Sequence, residues 1–96
     1  MPISSDDASG QEVSATAVLP PGVALHARPA AELVRAAGRL PVPVTVAANG
    51  KRANARSILE ILALGATGGT ELTLSAAGPG AAEAVAALAR MVARLA

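Results

Sequence analysis

The chain has 96 residues, which suffice for one small domain but not for a second hydrophobic core. It contains no cysteine, which excludes disulfide frameworks and thiolate metal sites, and no aromatic residue, which argues against binding single-stranded nucleic acid by base stacking. The net charge of +1 is too balanced for a protein that binds nucleic acid or membranes by charge alone. With one histidine and no cysteine, we expect no metal and no cofactor.

We predict that residues 1–11, which are small, polar and acidic, form a disordered tail, and that residues 12–96 form the single domain. The N-terminus has neither the basic region nor the apolar run of a signal peptide. No apolar run approaches the ~18 residues that a membrane helix needs. We therefore expect a cytoplasmic protein that does not bind a membrane.

The first half of the domain begins with an alternating apolar and polar segment that predicts a strand over Glu12–Leu19. Pro20–Gly22 ends this strand. Apolar residues at helical spacing then predict a helix over Ala27–Ala37, with Pro29 in its first turn, where a missing N–H costs nothing.

A hairpin follows. Alternation predicts a strand over Val42–Ala48, with Pro43 at its start or on a sheet edge because proline cannot donate to a ladder. Asn49-Gly50 is a strong signal for a two-residue hairpin turn. The chain then returns as a third strand over Lys51–Ala55.

The last third holds two helices and one strand. Ser57 and Glu60 have the spacing of a capping box, which predicts the start of a short helix that ends near Leu64. Alternation predicts a fourth strand over Thr70–Ser75, and a long apolar stripe predicts a helix over Ala81–Leu95. The order β-α-β-β-α-β-α predicts an α+β fold with an antiparallel sheet and helices on one side.

The candidate site centres on the only histidine, His26, which lies at the mouth of the first predicted helix and two residues before Arg28. Histidine changes its charge near neutral pH and can act as a nucleophile. A helix N-terminus offers unpaired N–H groups, here those of Ala27 and Arg28 or the next turn, and arginine offers a fork of donors suited to phosphate. Together these groups predict a phosphoryl group carried on nitrogen.

The second predicted helix has more apolar residues than one buried stripe needs, namely Ile58, Leu59, Ile61 and Leu62. We expect one or two of them to be exposed as a transient docking surface. The basic residues cluster between positions 28 and 56, where Glu32 is the only acid, which favours an acidic protein partner.

Two motifs resemble the HPr family, the histidine-containing phosphocarriers of the bacterial phosphotransferase system. The first is Leu25-His26-Ala27-Arg28-Pro29-Ala30, which is similar to the family's active-site motif. The second is Gly50-Lys51, four residues, and then Arg56-Ser57-Ile58-Leu59-Glu60-Ile61-Leu62-Ala63-Leu64-Gly65, which is similar to its regulatory serine motif. The resemblance extends over Glu12–Ala96 and implies an open-faced β-sandwich: a four-stranded antiparallel sheet covered on one face by three helices.

The resemblance also implies a function. Enzyme I would phosphorylate His26 at Nδ1 with a group from phosphoenolpyruvate, and the carrier would pass it to a histidine of a IIA domain for carbohydrate uptake. Arg28 corresponds to the arginine that pairs with the phosphate, and Ser57 to the serine phosphorylated by HPr kinase/phosphorylase. By the same resemblance, Ala27, Ile58 and Leu59 correspond to positions that contact the partner proteins. The protein would be a monomeric carrier and not an enzyme.

The sequence departs from the family at two positions. Ala24 stands where glycine is usual, which predicts a different loop before His26 if that position needs a positive φ. Glu60 stands where a basic residue is common, which bears on the choice of partner.

Three alternatives stay open. One is a regulatory phosphocarrier of the nitrogen branch. Another is a small enzyme like the acylphosphatases, which need an arginine in a glycine-rich loop and a catalytic asparagine, whereas here the loop has a histidine and Asn49 forms a turn. The third is a binding module without phosphotransfer, against which the retained His26 argues.

Overall fold

A computed structural model of the chain describes residues 11–96. Most of the predicted disordered tail, residues 1–10, lies outside this range, and Gln11 is exposed and precedes the first strand. The described residues form, in chain order, β1 (Glu12–Val18), α1 (Ala27–Gly38), β2 (Thr45–Ala48), β3 (Lys51–Asn54), α2 (Ile58–Ala63), β4 (Glu71–Ala77) and α3 (Ala81–Ala93). The predicted order of strands and helices is confirmed.

The strands form one antiparallel sheet in the order β1-β4-β2-β3. Strand β4 lies inside the sheet, where Leu72 is opposite Ala17 of β1 and Leu74 is opposite Val46 of β2. Helix α3 packs on β1 and β4, α2 packs on β3, and α1 contacts both other helices. The predicted α+β open-faced β-sandwich is therefore confirmed.

The core between sheet and helices is aliphatic, since the chain has no aromatic residue. Leu72 and Leu74 of β4 meet Leu33 of α1 and Leu88 of α3 in this core, and each is fully or almost fully buried. Burying such a side chain contributes about 1.5–3 kcal/mol. Thr73, between the two buried leucines of β4, is only half-buried, as the alternation of a strand requires.

Two boundaries differ from the predictions. Strand β2 begins at Thr45 and not at Val42, because Pro43 has no N–H with which to extend the ladder. Helix α3 ends at Ala93 and not at Leu95, because the two N–H groups that follow it donate to carbonyls three residues back, at 3.1 and 3.2 Å. The remaining boundaries lie within one or two residues of those predicted.

The predicted turn at Asn49-Gly50 is confirmed, with φ angles of 54° and 75° that suit a two-residue hairpin. The side-chain amide of Asn49 donates to the carbonyl of Leu64 at 3.0 Å. Nζ of Lys51 donates to the carbonyl of Ala63 at 3.2 Å. The hairpin therefore satisfies carbonyls that the end of α2 leaves open, and it holds this short helix in place.

Candidate functional site

The loop before α1 places His26 in solvent. Leu25 is buried, with 2% of its surface exposed, and its N–H donates to the carbonyl of Ala66 at 2.9 Å, which anchors the loop. His26 follows in an extended conformation, with φ −147° and ψ 172°, as the N-cap residue of α1. It lies at the mouth of the helix, as predicted, and it is exposed.

The first turn of α1 is open. No side chain caps it, and it contains no acidic residue. The first N–H groups of a helix have no partner within the helix, and the helix dipole adds a partial positive charge there. His26 therefore lies beside donors that can bind the oxygens of an anion attached to its ring.

Ala27 has a left-handed backbone, with φ 52°. This conformation costs an L-residue about 1–2 kcal/mol, and such strain persists only where the surrounding structure imposes it. Among the residues described, the only other non-glycine with a positive φ is Asn49. Ala24 itself has no positive φ, so the backbone strain at this site lies after His26 and not before it. The different loop predicted from Ala24 stays a prediction.

Arg28 is exposed and lines one open depression together with His26. This depression has a volume of about 320 Å³ and is walled otherwise by small residues of the preceding loop, Pro29 and Ala96. The structure thus brings His26, Ala27 and Arg28 together on one accessible surface, as the motif predicted. The arrangement can hold a small anion between an imidazole, a guanidinium and backbone donors.

Ser57 begins α2 as predicted: its Oγ accepts a hydrogen bond from the N–H of Glu60 at 3.2 Å. The second half of the predicted capping box is wrong. The carboxylate of Glu60 accepts from the N–H of Asn54 at 2.7 Å, because the N–H of Ser57 already donates to the carbonyl of Asn54 at 2.9 Å. Glu60 therefore ties α2 to the end of β3.

Helix α2 presents three apolar side chains to solvent: Ile58 is 39% exposed, Leu59 77% and Leu62 40%, whereas Ile61 is fully buried. The expectation of one or two exposed residues was too low, because a helix of six residues has room for one inward side chain. We call Ile58, Leu59 and Leu62 the docking patch.

Helix α2 runs beside α1 in the opposite direction. At its start, Nη2 of Arg56 donates to the carbonyl of Leu40, beyond the C-terminal end of α1. After its end, the carbonyl of Ala66 accepts from Leu25, before the N-terminal end of α1. The docking patch therefore lies between Ser57 and the His26 loop, and the two predicted sites are at opposite ends of α1.

Sequence reasoning missed three residues that hold this arrangement: Asn49, Lys51 and Arg56. Their side chains bond carbonyls 12 to 19 residues away in the chain. No local spacing signals such contacts. The side-chain amide of Asn49 moreover donates to the carbonyl of Leu64, which gives this residue a structural role at the hairpin turn.

Within residues 11–96, no group of three or more histidine, cysteine or acidic residues is placed to hold a metal ion. None of the helices in this range is long and apolar enough to cross a membrane.

Comparison with known proteins gives the same family from sequence and from structure. A family model described as the PTS HPr component phosphorylation site matches residues 13–94. The phosphocarrier protein HPr of Streptomyces coelicolor is 51% identical over 70 residues, which are 72% of this chain and 75% of that protein.

Two solved structures are similar. HPr-C-His from Thermoanaerobacter tengcongensis superposes with a TM-score of 0.76 at 35% identity, covering 83% of this chain and 90% of the other. A phosphocarrier protein HPr from Bacillus anthracis gives 0.76 at 34% identity, covering 82% and 94%. The chain belongs to the HPr family and is a phosphocarrier of the phosphotransferase system.

Proposed function

We propose that His26 carries the phosphoryl group on Nδ1, between enzyme I and the IIA domains. The observation behind this proposal is the exposed imidazole at the uncapped N-terminus of α1, beside Arg28. The Nδ1 lone pair attacks the phosphorus of phosphorylated enzyme I, which received its group from phosphoenolpyruvate. The bond from phosphorus to the donor breaks as the new phosphorus–nitrogen bond forms. A histidine of a IIA domain then takes the group by the same displacement.

Charge stabilisation during transfer comes from this chain's own groups. The N–H groups of the first turn of α1, which no side chain caps, and the guanidinium of Arg28, which lines the same depression as His26, bind the phosphoryl oxygens in this proposal. Donors aimed in advance at developing charge stabilise a transition state without reorganisation. After two transfers the chain returns to its starting state, so it acts as a carrier and not as an enzyme with its own turnover. We expect this carrier to be monomeric.

The docking patch and Ala27 form the surface on which enzyme I and the IIA domains bind. Exposed apolar side chains beside a reactive group suit brief, specific contact. The exposed basic residues between positions 28 and 56 favour acidic partners. The exchange takes place in the cytoplasm. Since the similar curated proteins are named phosphocarrier protein HPr, the carbohydrate branch is favoured over the nitrogen branch.

Ser57 is the regulatory site in this proposal, phosphorylated by HPr kinase/phosphorylase. The N-terminus of α2 accepts a phosphate there, since its oxygens replace the hydroxyl as a cap. The modification adds close to −2 charge beside the docking patch and beside Glu60. We expect this charge to repel an acidic partner while the fold stays intact.

The test is incubation with enzyme I, phosphoenolpyruvate and Mg²⁺, followed by detection of phosphate that is labile to acid and stable to base. Phosphohistidine has this behaviour and phosphoserine the opposite. We expect full labelling of the unsubstituted chain and of Ser57→Ala, and none of His26→Ala. Acid-labile label retained by His26→Ala, with its fold verified by circular dichroism, would refute the assignment.

A further inference from the structure

Arg56 closes the C-terminal end of α1 from outside the helix. Its Nε donates to the carbonyl of Ala37 at 3.4 Å, and its Nη2 donates to the carbonyl of Leu40 at 2.8 Å. The last carbonyls of a helix lack partners within it, and the helix dipole favours a cation there. Arg56 supplies both a cation and two donors at this end.

The backbone of Arg56 is fixed at the start of α2. Its own N–H donates to Oδ1 of Asn54 at 2.9 Å, and the next residue is the N-cap Ser57. One residue therefore joins the end of α1 to the beginning of α2. The bridge spans 16 to 19 residues of sequence and depends only on the tertiary structure.

The two joined helices carry the two halves of the partner surface. His26 and Arg28 lie at the far end of α1, and the docking patch lies on α2. A helix of twelve residues is about 18 Å long, so a tilt released at one end displaces the other. A protein partner that grips the patch reaches His26 only if the two helices keep their relative position.

We propose that Arg56 is a positioning residue for phosphotransfer, which holds His26 and the docking patch in one rigid surface without touching the phosphoryl group. This inference rests on the proposed function of His26. The fork of arginine reaches two carbonyls, whereas a lysine ammonium presents a single point charge. Arg56→Gln removes the charge and the fork, and Arg56→Lys keeps the charge alone.

The test compares a protein donor with a small one. With phosphorylated enzyme I, we expect Arg56→Gln to raise KM for the carrier about three- to tenfold with kcat nearly unchanged, and Arg56→Lys to lie between. With phosphoramidate, whose phosphorus–nitrogen bond breaks as ammonia leaves, His26 needs no docking. We therefore expect phosphoramidate to phosphorylate His26 in both variants at the same rate as in the unsubstituted chain.

Arg90→Gln is the matched control. Arg90 is exposed in the last turn of α3, so its substitution removes the same charge without touching the bridge. We expect an unchanged KM. Faster amide exchange at Leu40 in Arg56→Gln reports that the α1 end is released.

If Arg56→Gln has the same KM as Arg90→Gln although its Leu40 amide exchanges faster, the positioning role of Arg56 is overturned and the proposed function of His26 is not affected. If Arg56→Gln does not fold, Arg56→Lys decides by the same comparison of donors. Failure of the unsubstituted chain to accept phosphate from either donor overturns the proposed function and this inference together.

Discussion

The N-termini of α1 and α2 differ in whether a side chain caps the first turn of the helix. At α1 the N-cap residue is His26, which makes no capping bond and precedes a strained Ala27. At α2 the N-cap Ser57 accepts from Glu60, and Glu60 bonds Asn54 in turn. One helix start is open and the other is closed.

In the proposed function this difference separates two kinds of phosphate chemistry. The open start of α1 leaves its N–H donors to the phosphoryl group that His26 accepts and gives up. The start of α2 already bonds the N–H of Glu60 to Ser57, so a phosphate on Ser57 would replace an existing cap. We propose that the first site suits transfer and the second a lasting modification, and four predictions test this contrast.

The largest effect is expected at the open site. Arg28→Ala removes the charged donor beside His26, and we expect the rate of transfer from enzyme I to fall ~10- to 100-fold, the usual loss for a hydrogen bond to a charged group. Arg28→Lys keeps the charge and should lose less. Rapid-quench kinetics measure both, and a wild-type rate for Arg28→Ala would count against its role.

The next effect is at the closed site. Ser57→Asp places a negative charge at the start of α2, and we expect KM for the carrier with enzyme I to rise about tenfold through repulsion of an acidic partner. Ser57→Asn is the matched control, because asparagine caps as well as aspartate and is neutral. Equal KM values in the two variants would show that charge at Ser57 does not regulate docking.

For the free energy of unfolding, the larger effect is expected at the start of α2 and the smaller one at the start of α1. Ser57→Ala removes a cap and should lower the free energy of unfolding by ~1 kcal/mol. His26→Ala removes an exposed side chain that caps nothing, and should change it by less than about 0.5 kcal/mol. Urea titration of both variants measures the difference. A comparable loss in His26→Ala would mean that the imidazole does stabilise α1.

The smallest effect tests the strain at Ala27. Glycine relieves a left-handed conformation that costs about 1–2 kcal/mol, but it loses about 0.5–1 kcal/mol in chain entropy, so Ala27→Gly should raise the free energy of unfolding by about 1 kcal/mol or less. Ala31→Gly, within α1, should lower it by about 1 kcal/mol. If both variants lose stability alike, Ala27 is not left-handed in solution.

Local patterns were sufficient for the elements and for the position of the reactive residue. The spacing of apolar residues predicted three strands and two helices, the Asn49-Gly50 turn predicted the return strand β3, and the capping spacing of Ser57 and Glu60 predicted α2. Asn49 and Gly50 both have the positive φ that a two-residue hairpin turn requires. Pro29 predicted where α1 starts and hence that His26 lies just outside it. Each of these signals acts within a few residues of the chain.

Tertiary structure decided the rest. Which apolar residues of α2 face solvent depends on how α2 lies against β3 and α1, and sequence counts underestimated their number. The partner of Glu60 was mispredicted because the carbonyl of Asn54 accepts from the N–H of Ser57, which leaves the N–H of Asn54 to Glu60. The contacts of Arg56 join segments far apart in the chain. Periodicity records which face of an element is buried, but a hydrogen bond between distant segments exists only once packing has brought them together.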